Sequence, residues 1–314
     1  MSKLGKLSLR ELLTMYFQHK ELREDTKKSY VNVVRIFEKY YGNRVVIDDI
    51  SVDTVLAFRH HVLHQKLNSH QTWNTYNRHF AALFNFAIEH SLTQSLNPFN
   101  KMKVKIITKK KKTLDITQID HAIAFLESKV ATETIKDFYY PTWFWRSVIN
   151  TFRYTGIRLN QLIHIRLCDL DDKKILFLRG DGSKTHTERY VPLIDSLYHD
   201  LVQLKQQLVD KGVAQEQQLF NIYYFKSSKK CYNQMSAMRI HVFFQQLSQS
   251  LNYPVSPHRF RHTLASQLMK KPDRNIHLVK ELLGHSSINT TLEYIEADME
   301  QLKNCLLSYS NFSV

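Results

Sequence analysis

Apolar residues recur at helical spacing through most of the chain, and four such stripes precede residue 100. Ser8 and Glu11 stand three apart ahead of Leu12, Leu13, Tyr16 and Phe17. There a hydroxyl and a carboxylate can satisfy each other's backbone at a helix start, which predicts a helix over 8–20. A second stripe, Tyr30, Val33, Val34, Phe37 and Tyr41, follows Asp25 and stops at Gly42-Asn43. The third starts at Asp48 or Ser51 and turns Val55, Phe58 and Val62 inward. The fourth starts near Ser69 or Gln71 and turns Tyr76, Phe80, Leu83 and Phe84 inward, before Asn97-Pro98 closes the region. Each apolar face needs a partner, so residues 1–100 are expected to form a compact helical bundle.

Beyond this bundle the pattern changes. Lys101, Lys103 and Lys105, then Lys109, Lys110, Lys111 and Lys112, make 101–116 a basic connector. Like charges repel, so the connector is expected to be extended or loosely ordered without a polyanion. Residues 117–314 read as a larger, mainly helical domain. Thr117 and Asp120 open a helix with Ile123, Phe125 and Leu126; the aromatic-rich run Tyr139–Tyr154 is a buried helix ending at Thr155-Gly156; Leu162, Ile163 and Ile165 belong to the next. Ile175, Phe177 and Leu178, then Tyr190-Val191-Pro192-Leu193, alternate as strands about a Gly180-Asp181-Gly182 turn, a small β-hairpin. Helices are expected over 196–211 and from Met238 to Leu247, and Met299–Val314 reads as a C-terminal tail helix.

Candidate chemistry gathers in residues 256–294. His258 and Arg261 are three apart and share a helix face, with Pro257 suited to the first turn. Gly284 ends the helix through Leu278, Val279, Leu282 and Leu283, and His285 follows it. Ser287 or Asn289 can cap a short helix carrying Tyr294. Arginine and histidine near a helix end suit an anion, since the planar guanidinium fork fits phosphate. A tyrosine beside them is a candidate nucleophile, because a covalent intermediate divides a hard displacement into two easier ones.

Composition narrows the partner. The 314 residues carry a formal net charge of +15, and the pI of about 9.6 favours a polyanion, nucleic acid or anionic membrane. Lys27, Lys28 and Arg35 on the second helix, and His70, Asn74, Asn77 and Arg78 on the fourth, lie opposite the expected core. Such a face either enters a groove and touches phosphates or is simply solvated. Lys229 and Lys230, in a KSSKK loop, are further backbone-contact candidates; Lys173, Lys174, Arg179, His186 and Arg189 are grouped with them as candidates to face phosphates. No apolar run is long enough for a membrane span, and the start does not read as a signal peptide. Three distant cysteines, Cys168, Cys231 and Cys305, point to a reducing cytoplasm, with nucleoid association following from the charge. No metal-binding motif or glycine-rich ATP loop is evident.

Taken as a set, these motifs resemble those of the tyrosine recombinases, the phage-integrase family. The matching positions are Thr155-Gly156-Ile157-Arg158, Lys184 eight residues before Pro192, His258-x-x-Arg261, Leu283-Gly284-His285, and Tyr294 nine residues after His285. The resemblance implies an N-terminal helical core-binding (SAM-like) domain and an α+β catalytic domain, closing as a C-shaped clamp on double-stranded DNA. It also implies Tyr294 as nucleophile forming a 3′-phosphotyrosyl bond, and Arg158 and Arg261 on the non-bridging oxygens. Lys184 becomes general acid to the leaving 5′ oxygen, and His258 assists proton transfer, with the base role toward Tyr294 one reading. His285 either bonds the phosphate or orients the nucleophile. No cofactor, metal or ATP is implied. A dimer on each site and a tetramer in synapsis are expected, with the tail packing in cis or on a neighbouring subunit. An accessory DNA-bending protein or a partner recombinase remains open. At Gln161 the family usually has an acid; an amide cannot neutralise Arg158, so either another acid serves or the pocket is more positive. A type IB topoisomerase-like relaxing activity and chromosome dimer resolution are the competing functions.

Overall fold

The computed structural model describes residues 7–42, 45–106, 112–182, 187–226, 234–271 and 275–294. The chain divides into two compact units, Met1–Lys109 and Lys110–Val314.

In the first unit, α1 (Leu9–His19) starts at Ser8, where the predicted Ser8–Glu11 capping box forms. It packs with α2 (Glu24–Tyr41) and α4 (His70–Glu89), and α3 (Val52–His60, continuing as a π-helical turn His61–Gln65) meets α2 and α4 through Phe58. Ser51 and Ser69 cap α3 and α4 by accepting the Thr54 and Thr72 N–H groups. Phe37, Phe58, Phe80 and Phe99 interlock at the centre, with Phe80 and Phe99 stacked 4.6 Å apart. Tyr41, expected on the inner stripe, is 45 % exposed because Gly42 ends α2 beside it.

The first half of the basic connector is not loose. Residues 102–105 lie along α4, where Trp73 Nε1 donates to the Met102 carbonyl (2.7 Å) and the His70 ring pairs with the Lys105 carbonyl (2.9 Å). The Asn74 amide both donates to and accepts from the Val104 backbone, at 2.9 Å each. Of the two expected states, extended or loosely ordered, this removes loose order for residues 102–105, because α4 satisfies their backbone. On the other side, the Leu114 N–H donates to Thr263 Oγ1 (2.8 Å) within the second unit.

The second unit is built around α6 (Thr142–Thr155), preceded by α5 (Ile116–Glu127) and followed by the one-turn α7 (Leu159–Leu162). Trp145 stacks on Phe243 at 4.0 Å, and Phe144, Phe152, Phe220 and Phe260 fill the same core. The predicted hairpin forms: β1 (Ile175–Leu178) pairs antiparallel with β2 (Arg189–Pro192), Leu176 opposite Val191 and Leu178 opposite Arg189. Then come α8 (Asp195–Val209), α9 (Ala237–Leu251), α10 (Pro257–Lys270), α11 (Ile276–Leu283) and α12 (Ile288–Leu292). The helix expected to carry Ile163 and Ile165 is shorter than the pattern implied. After Leu162 the chain turns so that Ile165 can accept from the Leu219 N–H and the Gln218 side chain can tie the Ile163 carbonyl. The tail from residue 295 lies outside the described residues. No helix among those described is long and apolar enough to cross a membrane.

If α4 holds the connector in this way, Asn74→Ala should lower the stability of the first unit by about 1–3 kcal/mol, because it leaves two Val104 backbone groups unpaired. Urea unfolding followed by tryptophan fluorescence would measure this without DNA.

Candidate active site

α6 stops at Gly156, whose φ of 58° is left-handed and whose N–H bonds back to Phe152. A side chain there would come within 2.9 Å of Leu283 and 3.0 Å of Leu264, so glycine also lets this corner sit tightly on α10 and α11. Arg158 follows at the N-cap of α7. Its N–H donates to Gln161 Oε1 (3.0 Å), so the amide that stands where the family has an acid closes this turn. Gln161 is itself buried, and the same oxygen accepts from Arg189 Nη2 at 3.4 Å.

Three guanidiniums converge on the last carbonyls of α11. Arg189, on β2, donates from Nη1 to the Glu281 carbonyl (3.0 Å) and to that of Leu282. Arg261, on α10, donates from Nη2 to the Leu283 carbonyl (2.7 Å) and from Nη1 to that of Gly156 (2.6 Å). Arg158 donates from Nη2 to the Gly284 carbonyl (3.1 Å). Carbonyls in the last turn of a helix lack their ordinary intrahelical partners and carry the negative end of the helix dipole, so cations are favoured there. Gly284 takes a left-handed φ of 62°, and a Cβ there would stand only 3.0 Å from the Arg189 guanidinium.

Among the described residues none of these three arginines is ion-paired to a carboxylate. Burial, with the neighbouring guanidiniums adding to it, pushes Arg261 down to about 9 and Arg189 down to about 10. Burial also lowers Arg158, and Tyr294 opposes that shift in both Arg158 and Arg261. A cleft of about 470 Å³ opens beside them, lined by Arg158, Arg189, Lys280, His285 and Ser286 among others. Glu188 and Glu281 also line it, so its wall carries both signs, with the buried guanidiniums of Arg158 and Arg189 offering donors to an anion.

Tyr294 closes the arrangement. It is 3 % exposed and packs with Ala265, Met269, Val279 and Leu283. Its hydroxyl lies 2.6 Å from Nδ1 of His262, on α10. The His285 ring lies parallel to the Tyr294 ring at 6.1 Å, and its Nδ1 is 2.8 Å from Thr291 Oγ1. His258 stands one turn before His262, exposed, its ring 5.9 Å away. The sequence motif ends at Arg261 and so misses His262; the available signal is its place four residues after His258, on the same helix face. Arg189, expected among the phosphate-facing residues, lines the cleft and also holds the end of α11.

Lys184 lies outside the described residues, as do Lys109, Lys110, Lys111, Lys229 and Lys230. The chain on either side of Lys184 borders the site. The Gly182 carbonyl accepts from Asn160, next to Gln161, and Thr187 and Glu188 line the cleft. Of the expected DNA-facing residues, Arg78, Lys101, Lys103, Lys105 and Lys112 are exposed. Lys27 and Lys28 pair with Glu24 and Asp25, and Arg35 bonds Asn32. Asn77 is a correction: it is 2 % exposed, so its side chain faces the core rather than a groove. His70 and Asn74 are engaged by the connector.

The fold and site define a tyrosine-dependent DNA strand-transfer enzyme. The "Phage integrase family" model matches residues 101–301, and the "Phage integrase SAM-like domain" model matches 8–106. The chain belongs to the phage integrase family, the tyrosine recombinases, enzymes that break and rejoin DNA. It is 37 % identical over 302 residues to a putative tyrosine recombinase XerC of Pseudomonas aeruginosa, covering 94 % of this chain and 70 % of that protein. It is 33 % identical to one of Pseudomonas syringae, covering 96 % of this chain and 64 % of that protein. Among solved structures it resembles the Tn1549 transposon integrase in complex with transposon right end DNA, with a TM-score of 0.75 and 19 % identity over 97 % of this chain and 100 % of that one. A lambda integrase tetramer bound to a Holliday junction gives a TM-score of 0.68 at 14 % identity, over 93 % of this chain and 78 % of that one.

Because Gln161 leaves the arginines uncompensated, Gln161→Glu should stabilise the DNA-free protein. A carboxylate acceptor for Arg189 in place of the neutral amide oxygen is worth about 1 kcal/mol, or roughly 2–4 °C in a unit of this size. Scanning calorimetry should show this rise, and a fall would contradict the electrostatic picture.

Proposed function

We propose that the chain is a site-specific DNA recombinase that cuts and rejoins duplex DNA through a 3′-phosphotyrosyl intermediate and a Holliday junction, without metal or ATP. The observation that carries this reading is that Tyr294 lies close enough to Arg158 and Arg261 to influence both electrostatically, with its ring parallel to that of His285, which lines the cleft together with Arg158. The Tyr294 oxygen attacks a backbone phosphorus, and the bond to the 5′ oxygen breaks. A guanidinium has five N–H donors, so Arg158 and Arg261 can keep their helix-end carbonyls and still hold the non-bridging oxygens as charge grows. Lys184 delivers a proton to the leaving 5′ oxygen, a role that rests on its matching the family motif. Because the phosphotyrosyl bond conserves the phosphodiester's energy, rejoining needs no other fuel.

In this reading the partner is a double-stranded recombination site, with two copies on a site and four in synapsis, and the element served is mobile. The first unit covers one face of the DNA with Lys27, Lys28, Arg35 and Arg78, and the connector lysines neutralise phosphates. The Tn1549 integrase and lambda integrase likenesses support DNA as partner, and the Tn1549 protein's transposon context favours the mobile-element role.

The test is a nicked suicide duplex carrying the sequences that flank the gene. The wild-type protein should form a covalent adduct and exchange strands. Tyr294→Phe should bind the duplex with similar affinity but form no adduct; an adduct with that variant would remove Tyr294 as nucleophile. Neutralising Lys109–Lys112 to glutamine should weaken binding similarly for all sequences. It should also flatten the slope of log affinity against log salt by up to about 0.9 for each phosphate that the variant no longer neutralises. Titrations at several salt concentrations measure this slope.

A further inference from the structure

We infer that His262 takes the proton from the Tyr294 hydroxyl as that oxygen attacks, and returns it when the strand is rejoined. The inference rests on the reading of Tyr294 as nucleophile and assigns the base to a residue outside the His-x-x-Arg motif.

The geometry supports this directly. A phenol titrates near 10, so at neutral pH attack needs a proton acceptor within hydrogen-bond reach. Nδ1 of His262 lies 2.6 Å from the Tyr294 oxygen. Tyr294 is 3 % exposed, which leaves bulk water little access to that oxygen. The other imidazole against Tyr294, that of His285, meets the ring in a parallel stack and has its Nδ1 against Thr291 Oγ1. It is therefore placed to orient the phenol. His258, on the same face of α10, lies behind His262 with its ring 5.9 Å away and tilted by 19°.

In the cutting step the Tyr294 O–H bond breaks and an N–H bond forms at His262 Nδ1. The oxygen's electron pair forms the new P–O bond, the bond from phosphorus to the 5′ oxygen breaks, and that oxygen takes its proton from the general acid. Nδ1 must begin unprotonated, with the ring proton on Nε2. In rejoining, the imidazolium returns the proton to the departing phenolate oxygen. The titratable and charged groups facing this pair are His258 on α10, His285 after α11, and Arg158 and Arg261. His262 gives the Tyr294 proton a place to go.

The measurement is single-turnover adduct formation against pH on the suicide duplex. The wild-type rate should rise through the imidazole range, about 6–7, and then level. His262→Gln should be slower at pH 7 by about 10²-fold or more and lose that limb, its rate climbing instead toward the phenol range. Replacing the bridging 5′ oxygen by sulfur, which leaves without protonation, should rescue a Lys184→Ala protein but not His262→Gln. His258→Gln should keep the limb. A His262→Gln protein with the wild-type rate and limb, rescue of it by sulfur, or transfer of the limb's loss to His258→Gln would each overturn the assignment. A wild-type protein that formed no adduct would instead remove the recombinase reading, and this one with it. Should His262→Gln fail to fold, Tyr294→Phe supplies the second measurement: NMR of protein labelled in its histidine rings should show the His262 titration move when only the phenol oxygen is removed, and an unmoved titration overturns the proposal.

Discussion

The end of α11 is the point on which the site depends. Four successive carbonyls, from Glu281 to Gly284, are turned outward by the left-handed glycine, and each is met by a guanidinium. The donors come from the α6–α7 turn, from β2 and from α10, segments up to 126 residues distant along the chain. Helix carbonyls that would otherwise need water become the frame that fixes three cations in register. The local rules behind this are simple: a glycine able to take a positive φ ends the helix, and the dipole makes its end attractive to positive charge. The site is thus assembled by the same interactions that terminate a helix.

This arrangement has an electrostatic cost that the protein does not offset with carboxylates among the described residues. Gln161 supplies an oxygen to Arg158 and Arg189 but no charge, and burial with mutual repulsion drags Arg189 and Arg261 far below their ordinary values. Buried guanidiniums that are not ion-paired among the described residues can hold an anion and differentially stabilise one whose charge is increasing.

Much of the architecture was legible because helix periodicity and capping are local. Ser8, Ser51 and Ser69 begin the helices they were expected to begin, and the hairpin follows from alternation about Gly180–Gly182. Arg158, Arg261, His285 and Tyr294 stand out by motif, and the structure brings them together. What could not be read were choices between partners. Asn74 and His70 look the same in sequence whether they face DNA or a backbone some 30 residues further on, and α4 uses them for the latter. Asn77 lies on the same polar run yet turns inward. The helix-end role of Arg189 and the place of His262 were hidden similarly, since nothing local distinguishes an arginine that caps a remote helix, or a histidine that faces a tyrosine 32 residues later, from surface charge.

Tyr294 serves two masters: its ring completes a small apolar nucleus with Met269, Val279 and Leu283 while its oxygen is reserved for chemistry. Evolution therefore has little freedom at this position. Only phenylalanine would preserve the shape while silencing the hydroxyl; a smaller residue would hollow out the wall that supports the end of α11, confounding a missing nucleophile with a collapsed scaffold.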